Sequence, residues 1–561
     1  MFNYSYLNPP QVNITWENLN WKELKSYLHN YQCQIYQTAV KKDFQRMYDL
    51  QFQVINDFNL KLLAVRQVAR DNEGKKTPGI DGVCSLTGPD KVNIACNLFI
   101  DGISYYIRRV RMPKPETSEN EPLGIPILID RAKQTLVKYA LEPQFESYFE
   151  SNSYGFRPMK FAYQAINKIR SHLIFSGPSW VLNTDVKKCF DNIDHSALLR
   201  KINAIPAIDH QLRAWLNAGI IDKGEIIFPR TGTPQGETIS PLLANIALDG
   251  IQSCVLEEIY KKFGYETLNS TTYIRYADDL VVLSPDINVV NTVHQIINRQ
   301  LSLVGLDLRY EKTRLLHTLR YNYEEKRVKS ESFEFLGYKF IQKTVSKHHK
   351  MRTSSPVVLF RGSDGCPQKF SPLNTKFNTK DYVDPNSEIV SRYETYIIPS
   401  PNRIQRHKSS VNVFLRSCGT VEQVIYGLSL RVQGWTNYFR HSDASSYCNL
   451  PKKLTLWLNR RIRFWLKKTV KSKKKSEKYW KKDTKEWRLC IKIKKGKQEI
   501  KEENEEEEIC LHYYSDQKWR IPKGIIPLKS DFSPYNVSLE KIEAMKEQIK
   551  TYLGPGLNIP V

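Results

Sequence analysis

Apolar residues recur first at helical spacing in this chain. Trp21, Leu24, Leu28, Tyr31 and Ile35 share one face of a predicted helix, and Asn20 with Glu23 forms a capping box at its start. A second helical stretch carries Phe52, Ile55, Leu62, Leu63 and Val65, and ends before the turn-rich Thr77-Pro78-Gly79-Ile80-Asp81-Gly82. Further along the period shortens. Tyr273-Ile274 and Leu280-Val281-Val282-Leu283 flank Tyr276-Ala277-Asp278-Asp279, which predicts strand, tight turn, strand with two carboxylates at the turn. A third carboxylate, Asp185, ends the run Trp180-Val181-Leu182-Asn183-Thr184 and precedes a turn into a helix. From about residue 341 to 394 the pattern fades into Ser, Lys, Asn, Pro and Gly, which reads as an insertion or flexible linker. Helical spacing returns after about residue 395. Leu454, Trp457, Leu458, Ile462, Trp465 and Leu466 make one apolar face, with Arg460, Arg461, Arg463 and Lys467 elsewhere on that helix.

Composition narrows the class. A chain of 561 residues with 41% hydrophobic content is expected to fold as several domains. A formal charge of +25 points to a polyanionic partner, and aromatic residues interleaved with Lys and Arg suit stacking on exposed bases while the charges track phosphates. The ten cysteines contain no Cys-x-x-Cys pair, which argues against zinc ribbons and a disulfide scaffold and suits a reducing compartment. No apolar stretch is long enough to span a bilayer, so no membrane partner is expected. The start, Met1-Phe2-Asn3-Tyr4-Ser5-Tyr6, lacks a signal or transit pattern. Richness in Lys, Asn, Ile and Tyr suggests an AT-rich genome: an organelle (chloroplast or mitochondrion) that encodes the protein, or a bacterial cytoplasm. The basic tract Lys471–Lys475 and the acidic run Glu502–Glu508 read as a charged, self-neutralising insertion.

The chemistry lies in the acids. Three carboxylates brought together at strand ends form an all-oxygen site suited to hard divalent cations, above all Mg²⁺. Two such ions in one site support in-line phosphoryl transfer. An Asp pair in a turn carries little alone, because aspartate favours turns for local reasons. Here it stands in an ordered series. Pro122-Leu123-Gly124-Ile125-Pro126 comes first, then Asp130-Arg131, Asn152-Ser153-Tyr154-Gly155-Phe156-Arg157-Pro158, and Asp185 to His195. Gly232-Thr233-Pro234-Gln235-Gly236, Ile239 to Asn245, the Asp pair, Glu311-Lys312-Thr313 and Phe335-Leu336-Gly337-Tyr338 follow. The series resembles the reverse transcriptases of group II intron-encoded proteins, from the Trp16 region to around residue 470. Gly434-Trp435-Thr436-Asn437-Tyr438-Phe439 resembles the heart of that family's maturase domain.

The resemblance implies an α+β fold: a right-hand polymerase with fingers and palm, built of antiparallel sheet and helices, followed by an α-helical thumb. The expected order is an N-terminal helical extension (1–76), fingers and palm (77–340), the linker or insertion (341–394), the thumb or maturase domain (395–470) and a charged C-terminal region (471–561). Ser533-Pro534-Tyr535-Asn536 faintly resembles part of the family's DNA-binding region, and no nuclease of Cys pairs and His residues is expected after it. Asp185, Asp278 and Asp279, with the backbone carbonyl of Val186, are the implied ligands of two Mg²⁺ ions, for which Mn²⁺ can substitute. Phe190 is the implied gate against a ribose 2′-hydroxyl, although an apolar residue beside a turn also suits a core. Lys114, Arg131, Gln235, Gly236 and Lys312 are candidate nucleotide contacts, and Tyr276 a contact of the primer terminus. Trp435, Tyr438, Arg460, Arg461 and Arg463 are candidate RNA contacts.

The activity implied is RNA-directed DNA synthesis on an RNA template with a DNA primer and dNTPs, joined to binding of group II intron RNA in splicing. Target DNA and a second copy of the chain complete the candidate partners. A splicing-only maturase is the alternative, favoured by Glu121, which stands two residues before Leu123 where the family commonly has a basic residue. The intact carboxylate triad argues against it. A retron-type reverse transcriptase is disfavoured by the Gly434–Phe439 motif and the N-terminal helical segment.

Overall fold

The computed structural model describes residues 15–84, 86–113, 120–233, 235–322, 327–344, 357–360, 367–371, 389–470, 478–482, 487–494, 506–516, 519 and 533–553. It is a mixed α+β structure in which sheet-bearing fingers and palm precede a helical domain. A five-stranded sheet forms the palm, in the order Ser153–Tyr154, Thr272–Tyr276, Asp279–Ser284, Trp180–Asp185, Arg314–His317. Only its first pair is parallel.

The apolar runs around the Asp pair are continuous because both faces of this sheet are covered. Successive strand residues point to opposite faces. Leu182, Tyr273, Leu280 and Val282 enter one core, which also holds the N-terminal helices. Val181, Ile274, Val281 and Leu283 enter a second core, shared with the thumb. The palm is therefore clamped from both sides, which leaves its strand ends little freedom.

The first predicted helix is Trp21–Val40, and the Asn20 side chain accepts from the Glu23 amide. The second stretch divides into Phe44–Asn56 and Phe58–Arg66, because Asp57 takes an extended backbone and caps the second piece. Phe52 turns outward, whereas Ile55, Leu62, Leu63 and Val65 are buried. These helices share one core with Leu128–Glu146 and the palm, so the N-terminal segment is packed as part of the polymerase body. The fingers carry a four-stranded sheet, Asn120–Ile125, Ile107–Pro113, Ile220–Asp222, Glu225–Ile227.

Residues 341–394 depart from the linker reading where they are described. Tyr338–Thr344 and Ile389–Pro399 pair antiparallel over seven positions, and Val357–Phe360 with Pro367–Ser371 extends that sheet. The strand pattern was hidden because buried polar residues, Glu394 and Thr395, stand among Tyr393, Tyr396 and Ile397 in place of a run of aliphatics. The thumb consists of Pro401–Ser417, Val421–Phe439 and Leu450–Val470. Leu454, Leu458, Ile462, Trp465 and Leu466 are buried as their spacing predicts.

The charged C-terminal region also contains ordered sheet. Trp480–Lys482, Trp487–Lys494 and Glu506–Cys510 pair in register, with Lys492 opposite Glu508 and Lys494 opposite Glu506. Lys481 reaches Glu508 at 2.6 Å. The basic tract Lys471–Lys475 and most of the acidic run Glu502–Glu508 lie outside the described residues. Cys490 faces Cys510 in the same ladder with 4.1 Å between their Cα atoms, and the two form a disulfide. Strand register brings them together without any sequence spacing to announce it. Ser533–Asn536 lies against the first helix: His29 bonds the Val537 carbonyl at 2.9 Å, and the buried Tyr535 hydroxyl donates to Glu142 at 2.9 Å. Among the described residues no helix is long and apolar enough to cross a membrane.

Candidate active site

The Asp pair sits where the sequence places it, at the turn between Thr272–Tyr276 and Asp279–Ser284. Asp279 is in register with Tyr276 on one side and with Asp185 on the other. The turn is tight enough to hold Ala277 at φ 54, in the left-handed region. It is braced from behind. The Ala277 amide donates to the Tyr154 carbonyl at 2.9 Å, and the fully buried Arg275 donates to Asn245 at 2.9 Å and to the Ala277 carbonyl at 3.3 Å. Asn245 in turn donates to the Gly155 carbonyl at 3.1 Å. The Val186 amide donates to the Asp278 carbonyl at 3.0 Å, which ties the third carboxylate's strand to the same turn.

Burial and mutual repulsion act together on the acids. Burial raises the Asp278 carboxyl, and Asp185 beside it adds to the rise. Asp279 is pushed up to about 7, first by burial, then by Asp278 and Asp185. Cations offset part of this. Lys312 donates to Asp185 Oδ2 at 2.8 Å and Arg309 approaches the same oxygen at 3.4 Å. Arg403, on the first thumb helix, acts on Asp279 from the other side. Asp185 Oδ1 is buried with no hydrogen-bond partner among the described residues. An all-oxygen set with an orphaned carboxylate oxygen, and with Asp278 and Asp279 raised by burial, fits a hard divalent cation such as Mg²⁺ or Mn²⁺.

Residues 231–233 bond to the start of the helix that follows Asp185. Thr233 donates from its amide to the Phe190 carbonyl at 2.6 Å, and a Cβ on Gly232 would lie 2.4 Å from the Asp191 carbonyl oxygen. Phe190 is partly buried, with its ring 6.4 Å from that of Phe156. The Gln235 carbonyl accepts from the Gly124 amide at 2.6 Å, and Gly236 at φ +103 passes so close that a Cβ would sit 2.8 Å from the Gly124 oxygen. Glycine at 236 is therefore required by backbone approach between palm loop and fingers. Tyr276 is partly buried beside Gly155.

Other candidates stand elsewhere. Lys114 lies outside the described residues, as does the Glu121 side chain. Arg131 is buried and donates to the carbonyls of Gly74 and Thr77 at 3.1 Å each, so its visible bonds fasten the segment before the fingers rather than leave it aimed at a phosphate. Trp435 stacks on His407 at 4.9 Å and packs against Phe439, Tyr514 and Trp519. The Tyr438 hydroxyl donates to the Leu336 carbonyl at 2.9 Å. Both side chains are partly buried: one side packs inside the thumb, and the other lines an open pocket with Arg403, Arg406 and His407. Arg460, Arg461 and Arg463 are exposed as expected. Sequence reasoning quoted Asn245, but not its role, and missed Arg275, Arg309 and Arg403. A basic residue just before the Asp pair or the Glu311-Lys312 segment was the available signal.

Three family models match the chain in order. The N-terminal domain of reverse transcriptase matches residues 16–98, reverse transcriptase (RNA-dependent DNA polymerase) 112–340, and the group II intron maturase-specific domain 404–487. Fold, carboxylate turn and domain order put the protein among the reverse transcriptases. With the maturase-specific domain following the polymerase, the chain has the domain order of the group II intron-encoded reverse transcriptases and maturases, to which it is similar. It is 34% identical to the group II intron-encoded protein LtrA of Lactococcus lactis subsp. cremoris over 203 residues, 35% of this chain and 33% of that protein. Protein YkfC of Escherichia coli (strain K12) is 27% identical over 332 residues, 53% of this chain and 84% of the relative. Maturase-like protein 1 of Euglena gracilis is 26% identical over 264 residues, 44% of this chain and 55% of the relative. The chain matches about a third of the length of the first of these relatives.

Proposed function

We propose that the protein is an RNA-directed DNA polymerase that also binds the RNA of a group II intron and assists its splicing. The observation that carries the polymerase reading is the convergence of Asp185, Asp278 and Asp279 at adjoining strand ends, with Asp185 directly opposite Asp279. These carboxylates, with the Val186 backbone, would hold two Mg²⁺ ions. Bound there, such ions supply Lewis-acid stabilisation of the charge on the attacking and leaving oxygens. The chain's own contribution is to fix the acids. The Arg275–Asn245–Gly155 brace sets the turn, and burial raises the cost of leaving the carboxylates charged without a cation.

We assign contact with the dNTP sugar and base to Gln235, Gly236 and Phe190; the Gln235 carbonyl is bonded to the fingers at Gly124 and the Phe190 carbonyl to Thr233. Phe190 is the residue we assign to exclusion of a 2′-hydroxyl, by steric occupation. Lys312, already on Asp185, is positioned to meet a triphosphate. The exposed arginines of Leu450–Val470 support contact with RNA phosphates, the role we assign to the thumb's outer face. The compartment we propose is that of the intron's own transcription, an organelle or a bacterial cytoplasm. Primer extension on an RNA template tests the reading: Asp279→Ala is expected to abolish Mg²⁺-dependent DNA synthesis, and retained synthesis would contradict it.

A further inference from the structure

One aromatic beside the nucleotide space has no role in the account so far. In the segment 153–160 every residue is buried except Phe156. Phe156 is 51% exposed, and its backbone lies at φ 57, in the left-handed region that a bulky side chain rarely adopts. Such strain persists only where neighbouring structure over-determines it, and it collects at functional sites.

The neighbouring structure does over-determine it. Arg157 makes a bidentate pair with Glu146 at 2.8 and 2.9 Å, and donates to the carbonyls of Glu150 and Ser153 at 2.7 and 2.8 Å. All of these groups are buried, so the turn is pinned on its C-terminal side. On the other side Gly155, at φ +84, presses against the metal-site turn: a Cβ there would lie 2.9 Å from the Ala277 nitrogen and 3.2 Å from the Tyr276 ring. Phe156 thus stands out from a turn packed against the Asp-pair turn, edge to face with the Phe190 ring at 6.4 Å and 75°. A rigid, strained turn that exposes one apolar ring at this place makes little sense as core packing. It makes sense as a backstop.

We infer that Phe156 is a positioning residue for sugar selectivity, acting through Phe190. Its edge limits how far the Phe190 ring can tilt away from the incoming nucleotide, so that a 2′-hydroxyl meets a fixed obstacle. The inference rests on the assignment of Phe190 as the gate and adds a second residue to it.

The test is primer extension on an RNA template with a dNTP or the matching rNTP. It compares the parent, Phe156→Ala, Phe156→Leu, Phe190→Val and the double variant Phe156→Ala/Phe190→Val, with thermal unfolding measured for each. Phe156→Ala is expected to raise rNTP relative to dNTP incorporation by about two- to tenfold, equivalent to ~0.4–1.4 kcal/mol. Phe156→Leu, which keeps bulk but not the ring edge, is expected to fall between, and it replaces Phe156→Ala if that variant unfolds. Added to Phe190→Val, the Phe156 change is expected to do nothing further. Parental selectivity in both Phe156 variants, while Phe190→Val relaxes it, would overturn the inference alone. A double variant equal to the product of the two single effects would overturn it too, because Phe156 would then act independently. If Phe190→Val itself keeps parental selectivity, the gate assignment fails and this inference fails with it.

Discussion

The Tyr438 hydroxyl donates to the Leu336 carbonyl at 2.9 Å, and the Tyr338 hydroxyl donates back to the Tyr438 carbonyl. Through this reciprocal pair the second thumb helix is fastened to the last turn of the palm, where Leu336 takes φ 50 and Gly337 φ 78. The maturase-like motif thereby sets where the thumb stands over the acids.

Tyr438→Phe keeps the ring and removes one bond of that pair. A lost neutral hydrogen bond with a partly buried acceptor costs roughly 1 kcal/mol. The variant is expected to unfold at slightly lower denaturant and to make shorter cDNA per binding event, with RNA affinity unchanged. Equilibrium unfolding and single-encounter primer extension measure both. A large loss of RNA affinity would show that the Tyr438 hydroxyl contacts RNA directly.

Glu237 offers a pH test away from the metal ligands. It is buried, receives a bond from Ser240 at 3.4 Å, and is pushed up to about 8 by burial and then by Asp130. A carboxyl raised above its unfolded value keeps its proton in the fold where the unfolded chain has lost it. Its contribution is therefore most favourable at low pH and declines as pH climbs from the ordinary carboxylate range to about 8. Glu237→Gln removes that decline. Denaturant titrations are expected to show the Gln variant gaining on the parent between pH 5 and pH 8, by on the order of 1 kcal/mol or more. A difference that does not change with pH would mean the carboxyl is ionised in the fold.

Much of this was legible beforehand, and the limits are physical. The carboxylate turn could be read because its flanking strands are apolar on both faces, a consequence of the two cores that meet at the palm. The thumb helix could be read because Leu454, Leu458, Ile462 and Trp465 repeat at its own period. Arg131 could not: a cation beside a polymerase motif looks the same whether it faces phosphate or the carbonyls of Gly74 and Thr77. The packing of Trp435 is illegible for a similar reason. Its partial cover comes from Tyr514 and Trp519, far along the chain, and no local pattern announces that contact. The strands after residue 341 and the Cys490–Cys510 pair depend on register between distant segments, which periodicity does not encode.

The exposed arginines give a separate prediction. Arg460, Arg461 and Arg463 project from the third thumb helix, and Arg463 lies over the Trp480 ring at 5.1 Å. Each phosphate neutralised on a single strand contributes a slope of about 0.7 in log affinity against log salt. Replacing all three with Ala is expected to weaken intron RNA binding and to flatten the salt dependence by up to about 2 in that slope. Filter binding across a salt series measures it. An unchanged slope would make these arginines a solvated helix face.

The central claim is that one palm site makes DNA while a separate surface grips intron RNA. Asp278→Ala with Asp279→Ala, assayed for primer extension and for assisted splicing on the same preparation at matched salt, addresses it most directly. The two acids are packed in the palm turn, whereas Arg460–Arg463 stand on the thumb. Loss of each ligand is expected to remove several kcal/mol of barrier lowering, at ~1.4 kcal/mol per tenfold in rate. The account predicts that cDNA synthesis disappears while RNA affinity and splicing stay near parental. A folded double variant that loses splicing as fully as it loses synthesis would contradict it.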